Sequence, residues 1–439
     1  MNELFSRHTV PRHHLVAASA WGGRVLTSVI SLCTVRMLTQ KLGMEHYAVY
    51  ALLAGTGGWF MLCDLGVGQS LQNYISEARA ERRSYENLIV TSMLIALGLG
   101  LAMGIAIWFF ASIGARHYLM HSGFLTDADK TRLFGSAAVI FTCSSLGAIV
   151  YKIWYGEQRG YLSNLYPALS ALLSLVAIWL VDSSGPNDRL FWLVIGGNSA
   201  FAMVPLVALL ARGVTGYARG GRVVWATVVT LCRRGCRFWA VALVATAVLQ
   251  IDYLVLSQYG NARDIVLYTI ISKMFVIAYF IYSAVLQAFW PTCAEWLALG
   301  QWPRVVAFRN RFLLGIAIYI PAFTGGFLWF RSEVVALLMP GAQVQLPVTL
   351  LLLAGALTLI RAGTDLFAVI LQSMSDIRTL FIWATVQAVT NIVLQITLVP
   401  WLGIHGLFLG SAISFVLTVT WALPRRVSYR AAIAPAPVA

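Results

Sequence analysis

Eight ionisable side chains fall inside otherwise apolar stretches of this chain: Arg24, Arg36, Asp64, Lys152, Asp252, Lys273, Arg361 and Asp365. A charge held in hydrocarbon is costly, so each is expected to face water, a partner group or a ligand. Five are cations and three are anions. Net positive surroundings suit an anionic ligand, and guanidinium forks match phosphate oxygens two at a time. Arg24, Arg361, Lys273, Arg36 and Lys152 therefore form the candidate anion-binding set. Asp64, Asp252 and Asp365 are the only acidic residues within these stretches, which makes them the candidates for ion coupling or gating.

Each candidate has a structural alternative. Arg36 and Lys152 lie near the ends of their stretches and can reach the interface by snorkelling; Arg24 lies deeper, and both readings stand for it. Arg361 is mid-stretch and cannot easily snorkel, which makes it the leading ligand-binding candidate. Arg361 and Asp365 are four residues apart on one helix face and can neutralise each other. Asp252 and Lys273 sit at similar depth on adjacent helices and can form an ion pair, whose breaking on substrate arrival would be a gate. Asp64 can instead bond backbone groups near Gly66 and Gly68. Among the aromatics, Tyr47, Tyr50, Trp59, Tyr151, Trp154, Tyr155, Tyr166, Tyr268, Tyr279, Tyr282 and Trp290 could stack on sugar rings, although packing and interfacial anchoring are the commoner roles.

The elements that hold these residues are long apolar helices. Hydrophobic residues make up 59% of the 439 and charged residues 11%, whereas soluble domains carry about 25% charged residues. Nearly uncharged stretches cover residues 17–40, 47–70, 87–111, 133–155, 162–181, 190–211, 238–259, 265–290, 312–330, 346–373, 379–401 and 402–424. Each is long enough to cross a hydrocarbon core of about 30 Å. The fold class expected is an all-α polytopic membrane protein with twelve transmembrane helices, in two six-helix pseudo-symmetric lobes around a central cavity. The lobes are residues 1–212 and 238–439, joined by a cytoplasmic linker at 213–237.

Arginine and lysine set the orientation. With both termini inside, nineteen of the 31 fall in cytoplasmic segments and seven in outer ones: Lys41, Arg116, Lys130, Arg132, Arg189, Arg263 and Arg331. This asymmetry accounts for most of the formal charge of +14 without nucleic acid as a partner. A short repeat supports two halves. Gly43 before Tyr50 matches Gly260 before Tyr268, and Ser76-Glu77 matches Ala294-Glu295 at nearly the same offset. The charged stretches are the first, second and fourth of one half and the corresponding three of the other.

Other chemistries lack their residues. The seven histidines lie in loops, in termini or, for His405, at the edge of the last stretch, and Cys232 and Cys236 have no further ligands for a zinc site, so neither metal nor cofactor is expected. The longest outer loop, 112–132, leaves no room for a catalytic domain. The N-terminal segment, with Arg7, His8, Arg12, His13 and His14, runs directly into the first stretch and has no cleavable-signal pattern.

The run Arg36-Met-Leu-Thr-Gln-Lys-Leu-Gly43, then Tyr47, Tyr50, Trp59-Phe60, Asp64-Leu65-Gly66, Leu71-Gln72-Asn73 and Ser76-Glu77-Ala78, resembles the first two helices of Wzx-type O-antigen flippases. These are polysaccharide transporters of the MOP (multidrug/oligosaccharidyl-lipid/polysaccharide) exporter superfamily. The resemblance implies a non-enzymatic flippase of the bacterial inner membrane. Its substrate would be an undecaprenyl-pyrophosphate-linked oligosaccharide, moved by ion-gradient-coupled alternating access. Membrane lipids and other polysaccharide assembly proteins would be its partners, and the diphosphate would need the cations named above. The alternatives are a lipid II flippase-like or multidrug/cation exporter of the same superfamily, and a membrane glycan polymerase or transferase. The net basic charge within the stretches counts against a carrier of cationic drugs.

Overall fold

The computed structural model describes residues 12–183, 185–340, 345–374 and 376–432. Arg7 and His8 lie outside them, as do the side chains of Arg12, His13, His14 and Pro291. The described residues form helices and connecting turns, with no strand among them. Two compact units divide the chain, Met1–Leu243 and Val244–Ala439.

The first unit begins with α1, Arg12–Phe60. At about 1.5 Å per residue, its 49 residues would run about 74 Å, far beyond one hydrocarbon core. Gly43 breaks the run: its φ of 70° and ψ of 179° belong to a region open essentially to glycine alone. The break falls between the first two expected stretches. A 3-10 turn, Met61–Asp64, and left-handed Leu65 and Gly66 then bend the chain by 48° into α2, Val67–Ala80. Next come α3 (Glu86–Tyr118), α4 (Asp127–Gly147), α5 (Ile149–Gly156), α6 (Gly160–Leu180) and α7 (Pro186–Ala218). Thr126 opens α4 with a reciprocal capping box to Asp129. Leu71, Ile75, Ile89, Ile149, Ile153 and Leu209 pack the core where α2, α3, α5 and α7 meet.

Helix α8, Trp225–Tyr259, starts well before residue 238, so much of the expected linker is helical. It bends by 47° between Trp225–Val248 and Gln250–Tyr259. Its first part packs on the bend before α2. A β-carbon at Gly66 would collide with the Gly235 carbonyl, and the Trp239 indole donates to the Leu62 carbonyl at 3.0 Å.

The second unit continues with α9 (Ala262–Ala298), α10 (Trp302–Trp329), α11 (Arg331–Leu338), α12 (Val348–Ser373), α13 (Ile377–Leu402), α14 (Ile404–Leu417) and α15 (Val419–Ala432). Asn261 and Asp264 form the capping box of α9. Tyr282, Leu286, Phe289, Ile316, Leu366 and Ile370 belong to one core that joins α9, α10 and α12.

Apolar side chains also cover the outside. Trp108, Phe109 and Phe110 on α3 and Trp401 on α13 are exposed, as suits contact with lipid rather than water. Nine helices among the described residues are long and apolar enough to cross a membrane, or eleven if each bent pair counts as one span.

Candidate functional site

In the first unit, the intramembrane charges serve the chain itself. Asp64 accepts the backbone N–H groups of Gly66 at 2.9 Å and Gly68 at 3.2 Å, which caps α2 after the break. These donors have no partner within the helix, so the carboxylate satisfies groups that would otherwise be stranded. This is the backbone-bonding alternative raised for Asp64. The stem of Lys152 packs against Gly68, and its ammonium interacts with Asp64 through space. Arg24 interacts likewise with Tyr155, whose hydroxyl donates to Asn164 at 3.1 Å. Arg36 is exposed, in keeping with the snorkelling alternative. Tyr47 and Tyr50 are buried in the helix packing.

The helix ends of this unit are also tied by charge. Arg212 of α7 reaches Glu86 of α3 at 3.0 Å and Glu157, after α5, at 2.6 Å. All three side chains are largely buried. Arg79 donates to the Glu157 carbonyl, and Arg234 pairs with Glu77 at 3.0 Å. Lys41 donates to the carbonyls of Ile178, Trp179 and Val181, the open C-terminal end of α6.

The second unit links three of its charges, Asp252, Arg361 and Asp365, through one polar cluster. Asp252 of α8 accepts the hydroxyl of Tyr268 from α9 on one carboxylate oxygen. Its other oxygen accepts the amide of Gln395 from α13 at 2.7 Å. The same amide nitrogen reaches Ser411 Oγ of α14 at 2.8 Å and Asn391 Oδ1 at 3.2 Å. Three acceptors thus share two hydrogens. Gln395 Oε1 is buried and has no partner among the described residues. Buried oxygens without a donor are rare and call for a reason.

Arg361 of α12 extends this cluster. Its guanidinium carbon lies 4.7 Å from the ring centre of Tyr279, and its Nε is 3.9 Å from Asp365, which is a loose pair. Tyr282 donates to Asp365 at 3.2 Å. Arg361 and Asp252 interact electrostatically at longer range. About a third of the Arg361 side chain, 32%, is exposed, so the group can take a further ligand.

The expected Asp252–Lys273 ion pair is not formed among the described residues. The Tyr268 hydroxyl and the Gln395 amide occupy the carboxylate instead, because α9 and α13 place neutral donors closer to it. The structure thus joins Asp252, Arg361 and Asp365, and it leaves Arg24, Arg36, Asp64 and Lys152 in the other unit.

Gln395, Asn391 and Ser411 went unmarked because their stretches carry no charge. The available signal was an amide pair four residues apart in an apolar helix, one turn of a single face.

Long apolar helices, including two bent pairs, with intramembrane charges held in polar contacts define a polytopic helical membrane protein. Solved structures give its fold. The lipid II flippase MurJ, inward closed, superposes with a TM-score of 0.73 at 13% identity, over 94% of this chain and 87% of that one. An inward-facing MATE multidrug transporter of the MOP superfamily gives 0.71 at 15%, over 93% and 96%. No protein-family model matches the chain. A Yersinia pseudotuberculosis protein named for O-antigen export is 32% identical over 418 residues, covering 94% of this chain and 95% of that protein. The chain belongs to the O-antigen export protein family.

Proposed function

We propose that this protein carries an undecaprenyl-pyrophosphate-linked oligosaccharide, an O-antigen or exopolysaccharide repeat unit, across the bacterial inner membrane by ion-coupled alternating access. The observation that carries the reading is Arg361: a mid-helix guanidinium, part exposed, backed by Tyr279 and only loosely paired with Asp365. Its planar fork suits a diphosphate, and the loose acid lets the ligand compete for it. Lys273 on α9 is the second cation we assign to the substrate. Asp252 is the carboxylate we assign to coupling. The Gln395 amide links it to Asn391 Oδ1 and Ser411 Oγ, a buried polar network in which a proton on the carboxylate would alter the hydrogen bonding.

We take the chain to span the membrane twelve times with both termini inside. Gly43 serves as the turn between the first two spans, which adds one to the eleven counted with bent pairs. The lobe reading of 1–212 and 238–439, with the link at 213–237, stands on the repeat and on the charge pattern.

Complementation of a strain lacking its own O-antigen flippase tests the proposal. Wild type restores surface glycan, while Arg361→Ala and Asp252→Asn, at equal membrane level, restore far less. Wild-type glycan with both variants would remove these residues from transport.

A further inference from the structure

A second basic site lies at the end of the second unit that the arginine distribution assigns to the outside. A pocket of about 650 Å³ opens there, within the usual range for small-ligand sites of about 300–1,000 Å³. Arg263, at the start of α9, and Arg331, at the start of α11, line it together with Ser332 and Gln345. Met339 and Leu346, both buried, form part of an apolar floor.

Among the described residues, neither guanidinium is used by the chain. Among the described residues, Arg263 and Arg331 make no ion pair and no side-chain hydrogen bond. Four of the five outer cations of the first unit behave differently, Lys130 being the exception. Lys41 and Arg189 donate to carbonyls, Arg116 pairs with Asp127, and Arg132 stands 3.7 Å over the Phe191 ring. Two carboxylates neighbour the pocket in sequence. Asp264 is spent on capping α9, and Glu333 is exposed and accepts the Ser332 hydroxyl at 2.9 Å. Neither lines the pocket.

Depth selects the ligand class. Helix α11 is a short helix between spanning α10 and spanning α12. Trp329 and Phe330, just before it, are 80% and 56% exposed, and Leu337 on it is 54% exposed. Exposed aromatic and aliphatic groups at the end of a span mark the membrane–water interface. Two unengaged guanidinium groups at headgroup depth, above an apolar floor, match a phosphate attached to hydrocarbon.

We propose that this pocket binds the phosphate-bearing headgroup of a lipid in the adjoining leaflet. The phosphate bridges Arg263 and Arg331, the Gln345 amide donates to a remaining oxygen, and the first methylenes lie on Met339 and Leu346. An anionic phospholipid and a lipid-linked diphosphate share this chemistry. The binding does not rest on the transport reading.

The test uses the full-length protein in nanodiscs of phosphatidylcholine alone. Short-chain phosphatidylglycerol and inorganic pyrophosphate are titrated separately into wild type, the R263Q/R331Q pair and the R263K/R331K pair. Wild type is expected to bind at least one probe, with affinity falling about five-fold for each arginine removed and weakening in salt. The lysine pair is expected to retain most of that affinity, with an unchanged size-exclusion profile. A glutamine-sensitive preference for phosphatidylglycerol over phosphatidylcholine assigns the site to bulk anionic lipid. Glutamine-sensitive pyrophosphate binding without that preference assigns it to a lipid-linked diphosphate. Equal affinity of wild type and R263Q/R331Q for both probes overturns the proposal. Should the glutamine pair fail to fold, the single variant R263Q is read by the same criterion.

Discussion

The two units use charge in opposite ways. In the first, buried and intramembrane charges complete the fold: Asp64 caps α2, Lys41 caps α6, and Arg212 ties α7 to Glu86 and Glu157. Short distances hold these groups to the fold, although Glu157 Oε2 is buried with no hydrogen-bond partner among the described residues. In the second, Arg361 holds Asp365 at 3.9 Å, and Gln395 keeps an unpartnered oxygen beside Asp252. A long ion-pair distance and a part-exposed guanidinium mark a group whose partners can change. The same residue types therefore do different work according to how completely the surrounding helices satisfy them.

The largest effect should come from Arg212→Met. It leaves Glu86 and Glu157 without their shared cation, and a broken buried pair costs about 3 kcal/mol or more. Thermal unfolding in detergent and the membrane level of the protein should both show the loss. If stability were unchanged, the first unit's charges would not be structural and the contrast would fail.

Asp376 sharpens the contrast, because it is a structural charge of the second unit that lies outside the spans. Burial pushes its carboxyl upward, but hydrogen bonds from Thr379, Arg426 and Arg430 outweigh this and hold it at about 2, against an ordinary 3.8. A carboxyl held low stabilises the fold above its unfolded value and loses that contribution as pH falls through its folded one. Asp376→Asn should therefore cost about 2 kcal/mol at neutral pH, with the difference from wild type vanishing between about pH 4 and pH 2. A pH series of unfolding midpoints measures this.

Arg361→Ala should reduce glycan export about tenfold, equivalent to about 1.4 kcal/mol, with little change in unfolding temperature. Arg361→Lys should recover part of the activity, since it keeps the charge and loses the planar fork. A fall in stability without a fall in export would place Arg361 with the structural charges. The smallest effect expected is from Asp64→Asn, which keeps one acceptor for α2: about 1 kcal/mol of stability, with export following the amount of folded protein.

Much of the fold is legible in the amino-acid sequence. The apolar stretches appear as helices, because burial of a backbone in hydrocarbon forces every N–H and C=O to pair within its own segment. Gly43 and the Asp64-Leu65-Gly66 run mark real interruptions, since glycine adopts the positive φ that a break requires. The site is less legible. Asp64 reads equally as a gate or as a cap, and only the distances to Gly66 and Gly68 assign it as a cap. Pairing Asp252 with Lys273 by depth fails, because depth does not say which way a side chain points around its helix. Gln395 stays hidden because an amide in an uncharged stretch looks inert until an acid is brought against it.

Helical class, spanning character and family membership follow from local composition and motif, since hydropathy and charge act over one helix length at a time. The choice of partners does not. Asp252 and Gln395 are separated by 143 positions, and no local rule relates them. Their meeting depends on how α8, α9, α13 and α14 pack, and that packing separates a charge consumed by the fold from one left for a ligand.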